Sequence, residues 1–181
     1  MFKKFAASDC SQSSQVKSSA QRGIKAKITE HHPALEDIID EVLPKKPPLY
    51  QFRAGQHLTV FCRGSEPLFF EHRDGPVLPT LRFVHQYPDL WTKYTVDKGA
   101  IPFILGGADI MCRGLTSAGA IMPVDLEAGS GIIIMAEGKE HALAVGVLKK
   151  STKEIRATNS GVGVECCHFL GDGLFQTNSI D

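Results

Sequence analysis

The sequence predicts an α+β protein in two parts: a helix-plus-small-sheet domain over residues 1–92, then a small β-barrel with short helices over residues 93–181. Three observations carry this. The apolar residues recur every three or four positions up to Leu43, and alternate in short runs thereafter. Glycines punctuate the second half at the spacing of many short strands. The 181 residues, 43% hydrophobic and 22% charged, suit one large or two small domains and can bury a core without staples.

Each element follows in order. Between Ser13 and His32 the positions Val16, Ala20, Ile24 and Ile28 form one narrow helical stripe. Pro33 then favours a second helix carrying Leu35, Ile38, Ile39, Val42 and Leu43, which Pro44 and the PKKPP run close. Leu49, Gln51 and Arg53, and then His57-Leu58-Thr59-Val60-Phe61-Cys62, alternate as strands, Gly64-Ser65 turns the chain, and PLFFEH returns it. PTLRFVHQYP is a short helix between two prolines, and the boundary falls near Asp89–Tyr94. Beyond it lie a turn-laden link, TSAGAIMPVDLEAGS, then the strands GIIIMA and ALAVGVLKKS joined by the turn EGKEH. Ser151 and Glu154 have the spacing of a capping box, so STKEIRATN opens a helix. The end, GVGVECCHFLGDGLF, reads as strand, turn, strand.

Charge and cysteines exclude several classes. Twenty basic residues balance twenty acidic ones, so no whole-molecule field gathers polyanions and any nucleic-acid contact needs a local patch. Residues 1–30 hold six basic residues against two acidic, whereas residues 93–181 hold eight against ten. Five scattered cysteines without a C-x-x-C fit a reducing, cytoplasmic setting. No signal peptide follows the opening lysines, and the longest apolar run, Ile132 to Ala136, is far short of a membrane span. The seven histidines lack metal-ligand spacing, and neither a P-loop nor a complete dinucleotide fingerprint occurs, so no metal, cofactor or membrane partner is expected.

The stretch VDKGAIPFILGGADIMCRGL, residues 96–115, carries the functional question. Asp97 stands where it can cap a short helix over residues 98–105, and Gly106-Gly107 stop that helix. Lys98, Gly99 and Ala100 leave the helix start free of bulk and beside a cation, so a phosphate or ribose could approach it. The same small residues could equally serve tight packing of helix on barrel. Arg113 and Lys139, each in a predicted turn, are the further candidate phosphate contacts, with Gly107 beside them as a close-approach residue. Lys149 and Lys150 are adjacent on a strand, so at most one joins any single surface. Alternation also puts Cys166 and His168 on one face and Cys167 on the other. Phe69-Phe70 and Trp91-Tyr94 are read as core before base-stacking residues.

Asp97, Gly99, Ala100, Gly107, Ala108, Ile110, Met111 and Gly114 resemble, in order, the first motif of the PUA domain, an RNA-binding barrel attached to pseudouridine synthases and archaeosine transglycosylases. With MFKKF, KSSAQRGIKAKI, EDIIDEVLPKK, PLFFEHRDGP and PTLRFVHQYP, the whole chain resembles the malignant T-cell-amplified sequence family of translation factors. Arg113 stands where that family usually has proline, Pro102 where lysine is usual, and Phe175 where tryptophan is usual.

The resemblance implies a non-catalytic factor that binds the small ribosomal subunit and RNA, either rRNA or the tRNA acceptor end. It implies a density-regulated protein homologue as partner, in reinitiation, post-termination recycling and initiator tRNA handling. The alternative from another class is an RNA-modification enzyme or its RNA-targeting accessory subunit. Against it, the acids Glu36, Asp37, Asp40 and Glu41 lie on a predicted solvated helix, not in a pocket.

Overall fold

The computed structural model describes residues 1–55 and 57–181. The first sheet is an antiparallel meander of β1 (Cys10–Gln15), β2 (Leu49–Ala54), β3 (Leu58–Arg63), β4 (Glu66–His72) and β5 (Leu78–Pro79), paired in chain order. Its inner positions are apolar, with Phe52, Val60, Phe61, Leu68, Phe69 and Phe70 all buried. α1 (Ser18–His31) packs beside it through Ile28, with Val16 buried just ahead of the helix. α1 starts five residues later than the periodicity suggests, because residues 10–15 form β1 instead. The polar run CSQSSQ pairs with β2 at the sheet edge and is mostly exposed, so it carries no apolar alternation to reveal it.

The second predicted helix is broken. Pro33–Leu35 form a 3-10 turn and only α2 (Ile39–Val42) is α-helical, although Leu35, Val42 and Leu43 are buried as the pattern requires. α3 (Leu81–Gln86) lies between its two prolines, its first turn closed by the Thr80 hydroxyl, which accepts from the Phe83 N–H. Gly64 turns the β3–β4 hairpin at φ 62°, which costs a glycine nothing.

The second sheet runs β6 (Lys93–Val96), β8 (Gly131–Ala136), β9 (Ala144–Leu148), β10 (Val162–Phe169) and β7 (Ile110–Met111) in spatial order, with β6 and β8 parallel and the other pairs antiparallel. It curls into a half-barrel whose open side holds α4 (Ile101–Leu105) and α5 (Cys112–Thr116). α5 touches both edge strands, β6 and β7, and so fills the gap between them. α6 (Thr152–Thr158) has the predicted capping box, in which Ser151 accepts from the Glu154 N–H and Glu154 accepts from the Ser151 N–H. The terminal GDGLF is not a strand. Asp172 accepts from the Phe175 N–H and so starts α7 (Gly173–Gln176).

The two sheets share one apolar seam. In β8 the side chains alternate, Ile132 and Ile134 into the half-barrel, Ile133 toward the first sheet, which is why GIIIMA is apolar throughout. The same alternation fails in β10. A bulge between Cys166 and His168 turns Cys167 and His168 together toward the first sheet, leaving Cys166 and Phe169 inside, so Cys166 and His168 do not share a face. Phe2 fills the seam between Phe70 and His168, with ring centroids 4.9 and 5.6 Å away. At the other terminus Ile180 is buried, and its N–H donates to Ser65 O at 2.9 Å. Burying one such large side chain contributes about 1.5–3 kcal/mol, so the two ends tie the halves firmly.

Candidate nucleic-acid interface

Three separate loops build one corner of the half-barrel. The first is a 3-10 turn, Lys98–Ala100, leading into α4. The second is the start of α5. Gly114 O accepts from the Asp97 N–H at 3.2 Å, and a methyl group placed on Gly114 would stand 3.6 Å from Ala100 Cβ. The third is the β8–β9 turn, where a methyl group on Gly138 would stand 3.5 Å from Lys98 Cε. Lys98, Arg113 and Lys139 are therefore carried on neighbouring supports, and all three are exposed. Among the described residues none has a carboxylate within ion-pairing distance. Gly99 and Ala100 lie in the corner, and a methyl group on Gly99 would meet only the end of the Asp97 side chain, Oδ1 at 2.9 Å, which would have to turn aside.

Several local expectations change. Asp97 does not cap the turn with its side chain, which instead accepts from the Ser117 hydroxyl at 2.5 Å and so holds the loop after α5. The helix behind Lys98 is five residues long and preceded by a 3-10 turn, so little macrodipole develops there, and the corner's attraction for anions rests on its cations. Arg113 lies in the first turn of α5 and not in a loose turn, so losing the family's proline costs the chain no bend. Pro102 sits in the first turn of α4, where an N–H would have had no helical partner.

Gly107 stands apart from this corner, at the opposite end of α4. Its φ is 88°, and a methyl group on it would be 3.1 Å from the Phe169 ring and 3.6 Å from Lys3 Cδ. Lys3 Nζ also donates to Gly106 O at 2.9 Å. Backbone conformation and packing account for Gly107.

Other cations are already engaged. Lys149 pairs with Glu165, Lys150 donates to Ser160 O, and on α1 Lys25 and Lys27 pair with Asp40 and Glu71. Burial pushes the Cys62, Cys166 and Cys167 thiols up to about 12, so they are inert packing groups. His168 is sealed in the seam, its Nδ1–H donating to Asp172 at 2.8 Å and its Nε2 without a partner among the described residues. Burial holds His168 below the usual imidazole range. Phe69, Phe70, Trp91 and Tyr94 are core residues, and the Tyr94 hydroxyl donates to Val124 O at 2.7 Å.

One feature of this surface escaped the sequence reading. Phe103 on α4 is 68% exposed, and Met111 on β7 is 50% exposed. In the five-residue helix Ile104 points inward, so its neighbour Phe103 must face out. Helical phase held that signal, but IPFIL reads as uniformly apolar. An exposed ring on the helix that leads away from the cationic corner suits stacking on an unpaired base.

Comparison with known proteins places the chain in a family and shows its fold elsewhere. A model described as a Pre-PUA-like domain matches residues 4–88, and one described as "elF2D, PUA domain" matches residues 92–173. The chain is 50% identical to the malignant T-cell-amplified sequence 1 homolog of Drosophila melanogaster over 99% of this chain and 100% of that one. Identity is 47% to the homolog of Dictyostelium discoideum over the full length of both, and 46% to translation machinery-associated protein 20 of Schizosaccharomyces pombe over 98% of each. The fold is shared with a hypothetical protein of Pyrococcus horikoshii OT3, at TM-score 0.73 and 21% identity, over 92% of this chain and 99% of that one. A conserved PUA domain protein of Thermoplasma acidophilum superposes at TM-score 0.63 and 22% identity, over 92% and 99% of the two chains. Full-length relatedness and the two domain models together make this chain a member of the malignant T-cell-amplified sequence 1 family.

Proposed function

We propose that the protein is a non-catalytic cytoplasmic translation factor that binds the small ribosomal subunit and RNA, either rRNA or the tRNA acceptor end. It acts with a density-regulated protein homologue in reinitiation, post-termination recycling and initiator tRNA handling. The observation that carries this reading is the corner itself, where three exposed cations, which among the described residues have no carboxylate within ion-pairing distance, stand on three neighbouring segments close to Gly99 and Ala100. Lys98, Arg113 and Lys139 neutralise phosphates, Gly99 and Ala100 let the backbone come close, and Phe103 stacks on a base. Family membership and the PUA match support RNA and translation as the setting.

Co-sedimentation with small ribosomal subunits, with and without the density-regulated partner, tests the reading. Lys98→Glu should weaken association by on the order of tenfold, the scale of one charge-assisted contact. Its stability should stay within about 0.5 kcal/mol, as for other exposed positions. Undiminished binding by that variant removes the corner from the mechanism. Modified nucleosides found by mass spectrometry after incubation with tRNA or rRNA would instead favour the enzyme class.

A further inference from the structure

The first sheet carries a second basic concavity, far from its β3–β4 hairpin turn. Arg53 is the penultimate residue of β2, Thr59 the second residue of β3 directly opposite it, and Arg73 follows β4. Together with Gly55, His57, Leu58 and Asp74 they line an open basin of about 610 Å³. The strand ends are clamped: Arg73 N–H donates to His57 O at 2.8 Å, and both residues hold the left-handed conformation, at φ 54° and 62°. Side chains with no β-branch tolerate that conformation at modest cost, so the clamp fixes an imidazole and a guanidinium on the rim.

The treatment of charge in this sheet is selective. Its acids go to particular cations: Glu71 to Lys27, Glu66 to Arg63, and Asp40, beyond the sheet, to Lys25. Arg82 lies over the Phe175 ring, 4.8 Å from its centroid, and donates to Phe175 O. Arg53 and Arg73 are both exposed, and among the described residues neither has a carboxylate within ion-pairing distance, although Asp74 lines the same basin. Two planar guanidiniums, a hydroxyl and an imidazole around one depression offer several donors to tetrahedral anionic oxygens.

We propose that Arg53, His57, Thr59 and Arg73 form a second phosphodiester-binding basin, so that RNA is gripped by the first sheet as well as by the half-barrel corner. The inference rests on the protein being an RNA-binding factor. Each site alone is weak. Two sites on halves locked by a common seam act together with little loss of freedom between them.

The test uses the full chain and a labelled RNA hairpin with a single-stranded tail, titrated over a series of salt concentrations. Compared are the wild type, Arg53→Ala/Arg73→Ala, Arg53→Lys/Arg73→Lys and Lys98→Glu. The double alanine variant should flatten the slope of log affinity against log salt by between about 1.4 and 1.8, two contacts at about 0.7–0.9 each. The double lysine variant should keep most of the slope, because its charges remain. Fluorescence of the single tryptophan, buried Trp91, reports that the variants are folded. A double alanine variant with the wild-type slope overturns the basin while Lys98→Glu still reports on the corner. Wild-type protein with no salt-dependent RNA binding overturns the functional reading itself, and the basin with it. Displacement of the RNA by dilute inorganic phosphate would make the basin a small-anion site and overturn the phosphodiester assignment.

Discussion

The first sheet pairs its five strands in the order the chain makes them, whereas the second weaves β6-β8-β9-β10-β7 with one parallel pair. From β2 onward the meander needs only short connections, so β2, β3 and β4 can be read one after another from alternation and glycine, whereas α1 and α2 separate β1 from β2. The woven sheet leaves its edge strands apart and must fill the gap with α4 and α5. That requirement generates the candidate surface, because the short segments spanning the gap bring Lys98 and Arg113 to the same corner as the β8–β9 turn. In the first sheet, by contrast, the basic basin lies where neighbouring strands end side by side, so adjacent strand ends and not gap-filling segments bring its residues together.

The contrast is one of topology and not of independence, and the most damaging substitution should show this. Phe2 is fully buried and touches Phe70 of the first sheet and His168 of the second. Phe2→Ala should cost about 3–5 kcal/mol in urea unfolding. Trp91 fluorescence and far-ultraviolet circular dichroism should still report one transition, and two separated transitions would show that the sheets unfold independently.

Acid should act next, through the buried histidines, and His32 beside the first sheet gives a separable part of the effect. His32 is buried against Trp91, with its Nε2–H donating to Val77 O at 2.8 Å, and burial pushes it down to about 4 from the usual 6.5. Between those values the unfolded chain binds a proton that the folded chain refuses. Stability is therefore full above about pH 6.5 and is lost as pH falls toward 4, by about 3 kcal/mol in all. His32→Gln should flatten that part of a urea-midpoint profile against pH, and an unchanged profile would remove His32 as its cause.

The smallest of the three effects separates packing from recognition at the two ends of α4. Gly107→Ala forces a side chain into the left-handed region and toward Phe169, and should cost about 1–2 kcal/mol. Its RNA affinity, measured well below the melting temperature, should match the wild type. A selective loss of binding would return Gly107 to the interface.

The sequence revealed those parts of the fold that depend on local patterning. The Ser151–Glu154 box, the proline-bounded α3 and the doubly buried GIIIMA were all legible because one segment contains the whole signal. β1 was hidden because an exposed edge strand needs no apolar face. The break between Pro33 and α2 was hidden because the buried positions Leu35, Val42 and Leu43 satisfy helical spacing without a continuous helix. The β10 bulge inverts faces at one residue, and what stabilises it comes from 57 residues away, where Asp109 Oδ1 accepts from the Cys166 N–H. At the candidate site the residue types were readable, but their grouping was not. That Lys98 leans on Gly138, and that Gly107 answers to Phe169 and Lys3, depend on contacts between distant segments.

Because the Gly173 N–H of α7 donates to Phe2 O and the Ile180 N–H to Ser65 O, early-made and late-made stretches of these residues meet in the finished molecule. During synthesis the meander can assemble as it emerges, yet it carries an uncovered greasy flank until β8 and β10 arrive, and the final fit waits for α7 and Ile180 behind them. A nascent chain stalled before that point would present this flank to chaperones.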